Sequence, residues 1–261
     1  RDLHSFPTRR SSDLELGVRR LKVSSGDLTN APLLAAMGRS RLPVVLSTGM
    51  ADLGDVELAL GALAFGYAGT GAPSEAALRE AYASAQGQAA LRDNVVLLHC
   101  TTQYPAPFAD VHLRAMDTLA AAFGLPVGYS DHTEGPAVAL AAAARGAVVV
   151  EKHFTLDRGL PGPDHRASME PEELRRLIAM LRQVEAALGR PVKAVAPSEA
   201  PNRAVARKSL VAARPIRAGE PFDEANLTLK RPGNGLPPVR LWDLLGRVAD
   251  RDYAPDEVIR L

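Results

Sequence analysis

Residues 125–154, LPVGYSDHTEGPAVALAAAARGAVVVEKHF, decide the fold. Two apolar runs, Val127-Gly128-Tyr129 and Val148-Val149-Val150, flank a helical pattern over 135–145. Neither run alternates with polar residues. Such strands are covered on both faces and belong to a parallel sheet, with the helix as the crossover between them. Each run ends in a polar cluster: Ser130, Asp131 and His132 after the first, Glu151, Lys152 and His153 after the second.

The same pattern recurs upstream. Leu21-Lys22-Val23 leads into Ser24, Ser25 and Asp27; Val44-Val45-Leu46 leads into Ser47 and Thr48; Val95-Val96-Leu97-Leu98 leads into His99, Thr101, Thr102 and Tyr104. Helical patterns over 32–38, 53–65 and 113–123 separate these runs, and residues 66–92 read as a surface excursion around a short helix. After the last strand, Ser168 and Pro171 open a helix. Its stripe of Leu174, Leu177, Ile178, Leu181, Val184 and Leu188 stops at Gly189. Repeated strand–helix units make the fold class α/β, either a barrel or a doubly wound sheet.

Four segments follow from composition. Residues 1–14, RDLHSFPTRRSSDL, lack any period and read as a foreign or disordered leader; residues 15–190 hold the strand–helix units. Residues 191–208 read as a linker. Residues 209–261 form a small β-rich domain with strand candidates at 209–212, 219–220 and 226–230, the loop Arg231-Pro232-Gly233-Asn234-Gly235, and a helical turn over 241–245.

The 261 residues carry 31 basic and 30 acidic side chains, a balance that excludes a generic nucleic-acid or anionic-membrane surface. The single cysteine, Cys100, rules out an internal disulfide and makes a reducing cytoplasm the default compartment. No apolar run approaches the ~18 residues of a membrane helix.

Polar residues at the carboxyl ends of parallel strands mark an active site in α/β folds, and here five strand ends carry them in register. His132 and His153 end successive strands about 4.8 Å apart, so both imidazoles can reach one divalent ion, or simply be hydrogen-bonded. Glu151 is placed to orient a metal-bound water, to act as a base, or to pair with Lys152. Lys22 can bind an anion, form a Schiff base or pair with Asp27. Ser25, Ser47 and Ser130 suit phosphate oxygens. Asp164 sits in the stiff loop PGPDH and Arg231 in the glycine-rich loop RPGNG, each able to meet a polar ligand.

Six motifs carry a resemblance: KVSSGDLTN (22–30), LSTGM (46–50), LLHCTTQYPAP (97–107), VGYSDHTEG (127–135), EKHFTLDRGLPGPDH (151–165) and KRPGNG (230–235). In order and spacing they resemble the bacterial sialic acid synthase family. The tail from Ser209 resembles its antifreeze-like (SAF) domain. The resemblance implies a (β/α)8 TIM barrel followed by that domain, in a homodimer that swaps it. It implies a divalent metal, manganese or magnesium, on His132 and His153. Phosphoenolpyruvate would be held by Lys22, Ser25, Ser47 and Ser130. The amino sugar would meet Tyr104, Asp164 and the partner's small domain through Arg231, with Thr102 among the substrate-binding positions. Asp27 and Glu151 are the acid–base candidates, and Asp27 stands where the family has glutamate. The implied reaction condenses phosphoenolpyruvate, N-acetylmannosamine and water and releases phosphate. Legionaminic acid synthase, acting on a di-N-acetylated sugar, is the alternative. A Schiff-base aldolase using Lys22 or Lys152 and a carbohydrate-binding barrel are readings of other kinds. Five strands match the family's last five of eight. The expectation is therefore a partial barrel, N-terminally truncated and inactive by itself, with open edges near Leu21 and Val148.

Overall fold

A computed structural model describes residues 17–162 and 164–260; the expected leader, residues 1–14, lies outside them. The chain divides into two units, Arg1–Gly189 and Arg190–Leu261.

In the first unit, β1 (Leu21–Val23), β2 (Val44–Ser47), β3 (Val95–Cys100), β4 (Val127–Asp131) and β5 (Val150–Lys152) form one parallel sheet whose order follows the chain. The core lies between this sheet and its helices: Leu46, Leu97 and Tyr129 from the strands meet Leu34, Leu60 and Leu63, all fully buried. Helix α1 (Ala31–Arg39) starts at Asn30, whose side chain accepts from Leu33 N. Helix α2 (Leu53–Ala68) starts with a capping box between Asp52 and Asp55. The two cross closely enough that a Cβ on Gly66 would stand 2.2 Å from the Ala35 carbonyl oxygen, so only glycine fits there.

Residues 66–92 depart from expectation. Instead of a surface excursion around one short helix they form two helices, α3 (Glu75–Ala83) and, with Ser84 as its cap, α4 (Ala85–Asn94). Leu78, Ala81 and Leu91 join the core. The contacts rest on small residues, such as Gly61 against the Leu78 backbone, and small residues leave little periodic signal.

The fifth strand is also shifted. The ladder already includes the Val149 carbonyl, which accepts from Tyr129 N at 2.8 Å, but the strand runs on through Lys152, and Val148 is exposed. Glu151 and Lys152 are therefore strand residues with opposite facings rather than residues beyond the strand end. Helices α5 (Ala115–Phe123) and α6 (Ala137–Ala144) lie between β3, β4 and β5, and α7 (Pro171–Leu188) packs Leu177 against Ala139 and Met169.

Among the described residues the two end strands each pair on one side only, so both edges are open as expected, yet they do not lie far apart. Lys22 Nζ on β1 lies 3.4 Å from Glu151 Oε1 on β5, so the sheet curls until side chains of its first and last strands meet. Among the described residues no strand joins β1 to β5. The gap between them is a cavity of about 550 Å³ lined by Lys22, Val45, Glu151 and, from α7, Leu174, Leu177 and Leu181.

In the second unit, β6 (Ser209–Ala212) and β7 (Leu227–Lys230) pair antiparallel over a core of Leu210, Ile216, Phe222, Leu244, Tyr253 and Ile259. The Tyr253 hydroxyl is satisfied by Asp250 and by the Arg260 carbonyl. The strand candidate at 219–220 is a turn, with Gly219 at φ 84°, and the bridge there begins at Pro221. The stretch read as a linker contains helix α8 (Ala200–Ala206), and α9 (Leu241–Leu244) supplies the expected helical turn. Among the described residues no helix is long and apolar enough to cross a membrane.

Candidate active site

Strand alternation sends Lys22, Ser47, Cys100, Ser130 and Glu151 to the inner face of the curled sheet. Lys22 Nζ donates to Ser47 Oγ at 2.8 Å and to the Val23 carbonyl at 3.0 Å. Ser130 Oγ donates to Glu151 Oε1 at 2.7 Å, which fixes the carboxylate facing Lys22. A cation and two hydroxyls thus sit beside a carboxylate on one surface, an arrangement able to take an anion and to accept a proton next to it.

Ser25 follows β1 in a short 3-10 turn, Ser25–Asp27. Its Oγ accepts from Gly49 N at 3.0 Å and lies 3.0 Å from Cys100 Sγ. Gly49 was not singled out by the sequence reading, although LSTGM contains it. A Cβ there would fall 2.1 Å from Thr102 Oγ1 and 2.8 Å from both Cys100 Sγ and Ser25 Oγ. Thr102 Oγ1 is buried and has no hydrogen-bond partner among the described residues. Gly49→Ala is expected to push Ser25 and Thr102 aside and to raise KM for the anionic substrate about tenfold or more, as a displaced catalytic geometry of about 1 Å does, with a smaller loss in kcat. Steady-state kinetics check this; an unchanged KM counts against Ser25 as a substrate contact.

Three rings close the outer end of the cluster. The His132 and His153 centroids are 5.2 Å apart at 73°, and Tyr104 stands 4.2 Å from His132 and 5.2 Å from His153. Nδ1 of His132 bonds the Thr101 carbonyl at 2.7 Å, and because a carbonyl can only accept, the ring proton is on Nδ1. Burial holds the His132 pKa below the usual histidine value, and nearby His153 pushes the same way. The neutral ring therefore presents its Nε2 lone pair, with only Ser130 Oγ at 3.5 Å near it. A histidine oriented through its other nitrogen by a carbonyl is how metal-binding imidazoles are held.

Two imidazole rings 5.2 Å apart, with Glu151 within electrostatic reach of His132, are donors of the kind that suit a divalent cation. Among the described residues no group of three or more His, Cys, Asp or Glu is arranged to hold one, so His132 and His153 would be the residues to hold such an ion.

The remaining expected residues are placed as follows. Asp27 is exposed and accepts from Ser24 Oγ at 2.7 Å, without a bond to Lys22. The Tyr104 phenol is pushed up, first by burial and then by Cys100, Asp164 and Glu151, so Asp164 lies within electrostatic reach of the ring cluster. Pro163 of the PGPDH loop lies outside the described residues; after it, His165 Nδ1 is 2.7 Å from Thr155 Oγ1. Arg231 belongs to the second unit, where it is exposed after β7. Lys152 points away from the inner face into a buried ion pair with Asp131, which removes it as a nucleophile.

On the outer face, His99 bonds the Val111 carbonyl at 2.7 Å, and burial lowers its pKa, with His112 adding to the effect. A folded-state value below the unfolded one gives stability that is fully present above the unfolded pKa near 6.5 and is lost as pH falls toward the folded value. The urea midpoint is expected to drop between pH 7 and pH 5, and His99→Gln to flatten that dependence. An unaltered slope in the variant would remove His99 as its source.

Residues 6–193 match the NeuB family and residues 207–261 the SAF domain. The chain is 46% identical, over 94% of its length and 67% of the relative's, to N,N'-diacetyllegionaminic acid synthase of Campylobacter jejuni. It is 42% identical to the protein of the same name from Legionella pneumophila, over 89% of the chain and 60% of that protein. The crystal structure of N-acetylneuraminic acid (sialic acid) synthetase from Leptospira borgpetersenii in complex with citrate matches at 33% identity and a TM-score of 0.57, over 72% of this chain and 57% of that one. The chain thus spans roughly two thirds or less of these proteins' lengths. With the motifs, the curled parallel sheet and the family match in agreement, this chain belongs to the NeuB family, and its second unit carries a SAF domain.

Proposed function

We propose that this chain carries the site of a synthase that joins phosphoenolpyruvate to a di-N-acetylated amino sugar, forming a legionaminic-type acid. The observation that carries the reading is the convergence of Lys22, Ser47, Ser130, Glu151, His132 and His153 at one end of one sheet. The sugar follows from the relatives. Both legionaminic acid synthases exceed 40% identity, whereas the sialic acid synthetase stands at 33%. N-acetylmannosamine, the expected sugar, therefore gives way to the alternative.

Lys22, with Ser25 and Ser47, binds the phosphate and carboxylate and holds the enol methylene toward the sugar. His132 and His153 would hold manganese or magnesium, whose chemistry when bound is to polarise the sugar's aldehyde oxygen. The enol carbon forms the new C–C bond at the aldehyde carbon. Water then adds at carbon two, and phosphate leaves by C–O cleavage. Glu151, aligned by Ser130, accepts the water proton. Arg231, supplied by a second chain, would contact the amino sugar; mixing Arg231→Ala with His132→Ala protein should then restore activity that neither has alone.

The test is phosphate release from phosphoenolpyruvate by the protein that carries this chain, offered each sugar with manganese. A preference of at least about tenfold in kcat/KM, or about 1.4 kcal/mol, is expected for the di-N-acetylated sugar. Preference for N-acetylmannosamine overturns the assignment. The 261 residues alone are expected to turn over below about 1 per second, because the gap between β1 and β5 leaves the pocket open to water.

A further inference from the structure

Asp131 and Lys152 each stand one position before a histidine of the site. They are also register partners at the end of the β4–β5 ladder. Alternation turns both outward, away from the face that carries Ser130 and Glu151. There Lys152 Nζ donates to Asp131 Oδ2 at 2.8 Å, to the Thr133 carbonyl, and to the Gly135 carbonyl at 3.2 Å. All three ammonium donors are occupied. The other carboxylate oxygen, Oδ1, accepts from Thr133 N at 2.9 Å and from Thr133 Oγ1 at 2.7 Å. The two side chains are 4% and 0% exposed.

This network reaches no substrate surface, and a buried ion pair is poor as a simple source of stability, since apolar residues of similar size often hold a fold as well. What it does is geometric. Lys152 grips the chain before His132, through Asp131, and after it, through Thr133 and Gly135, while its own backbone leads directly into His153. We propose that the Asp131–Lys152 pair positions the two imidazoles, fixing the spacing and inclination at which both can hold one cation. The proposal rests on the reading of His132 and His153 as cation ligands. Asp131 and Lys152 are positioning residues, because neither touches a reacting atom.

The test needs no turnover. Manganese binding to the protein is followed by the electron paramagnetic resonance of the free ion. The variant is Asp131→Asn with Lys152→Met, which removes both charges together and keeps their volumes and an acceptor for Thr133. Its Kd should rise about tenfold or more, the size of effect seen when a residue orienting a ligand is lost. Its circular dichroism should match wild type. Asp117→Asn with Arg145→Met removes an ion pair away from the histidines and should leave Kd unchanged. If the double variant does not fold, Thr133→Val loosens the same network by one hydrogen bond and should raise Kd several-fold. Wild-type binding with an unchanged Kd in the folded variant overturns the positioning role and leaves the histidine reading standing. Failure of wild type to bind manganese at millimolar concentration overturns both.

Discussion

His132→Ala is expected to abolish manganese binding and to lower turnover more than about 100-fold, since losing a residue that merely orients a metal ligand costs 10–100-fold. The ring is buried, its Nδ1 proton is committed to the Thr101 carbonyl, and its Nε2 lies 3.5 Å from Ser130 Oγ, with the His153 ring centroid 5.2 Å from its own. Alanine removes the Nε2 lone pair and leaves the Thr101 carbonyl without its donor. It also opens a hole of imidazole shape beside Tyr104. Added imidazole should therefore recover part of the lost binding, as small molecules enter cavities that fit them. Ser47→Ala, which removes a single hydroxyl from Lys22, should cost far less. Turnover of His132→Ala within tenfold of wild type would place the metal elsewhere.

Lys152→Met alone is expected to cost about 3–5 kcal/mol of unfolding free energy, the range for removing one partner of a buried ion pair. The Asp131 carboxylate is wholly buried and would keep only the two Thr133 donors, while the Thr133 and Gly135 carbonyls would lose the ammonium. Methionine fills the volume and supplies no donor, so the cost reports the stranded polar groups rather than a cavity. Restoring neutrality with Asp131→Asn in the same chain should return much of it. Urea unfolding of the single and double variants measures both numbers. A single variant within 1 kcal/mol of wild type would show that water or another group takes the place of Lys152.

Much of this site is written in the linear sequence. Short apolar runs marked the five strands, and the polar residues within and just after them marked Lys22, Ser47, Ser130, His132 and His153. Facing was harder to read. Val148-Val149-Val150 looked like a whole strand because it is apolar, yet the strand continues through Glu151 and Lys152. The polarity of those two residues is explained by what lies on each face: Ser130 and Lys22 inside, Asp131 and carbonyls outside. Residues 66–92 were legible only as one short helix because Leu78 and Leu91 alone carry bulk into the core there, and the close approaches beside them are made by alanine and glycine. Gly49 escaped because its importance lies in the space it leaves free. The choice between the two sugars was not legible, since the residues proposed for phosphoenolpyruvate and the cation would serve either one equally.

The meeting of Lys22 and Glu151 also constrains the order of assembly. Every strand of the sheet pairs with its predecessor in the chain, so the sheet can grow unit by unit with short loop closures. The contact between its first and last strands is different: it closes the loop from Lys22 to Glu151, which holds all five strands, and carries the largest chain entropy of any link in the pocket. Catalytic geometry would then be among the last features to form and among the first to loosen. Amides of β1 and β5 would exchange with solvent before those of β3, and inactivation would precede global unfolding.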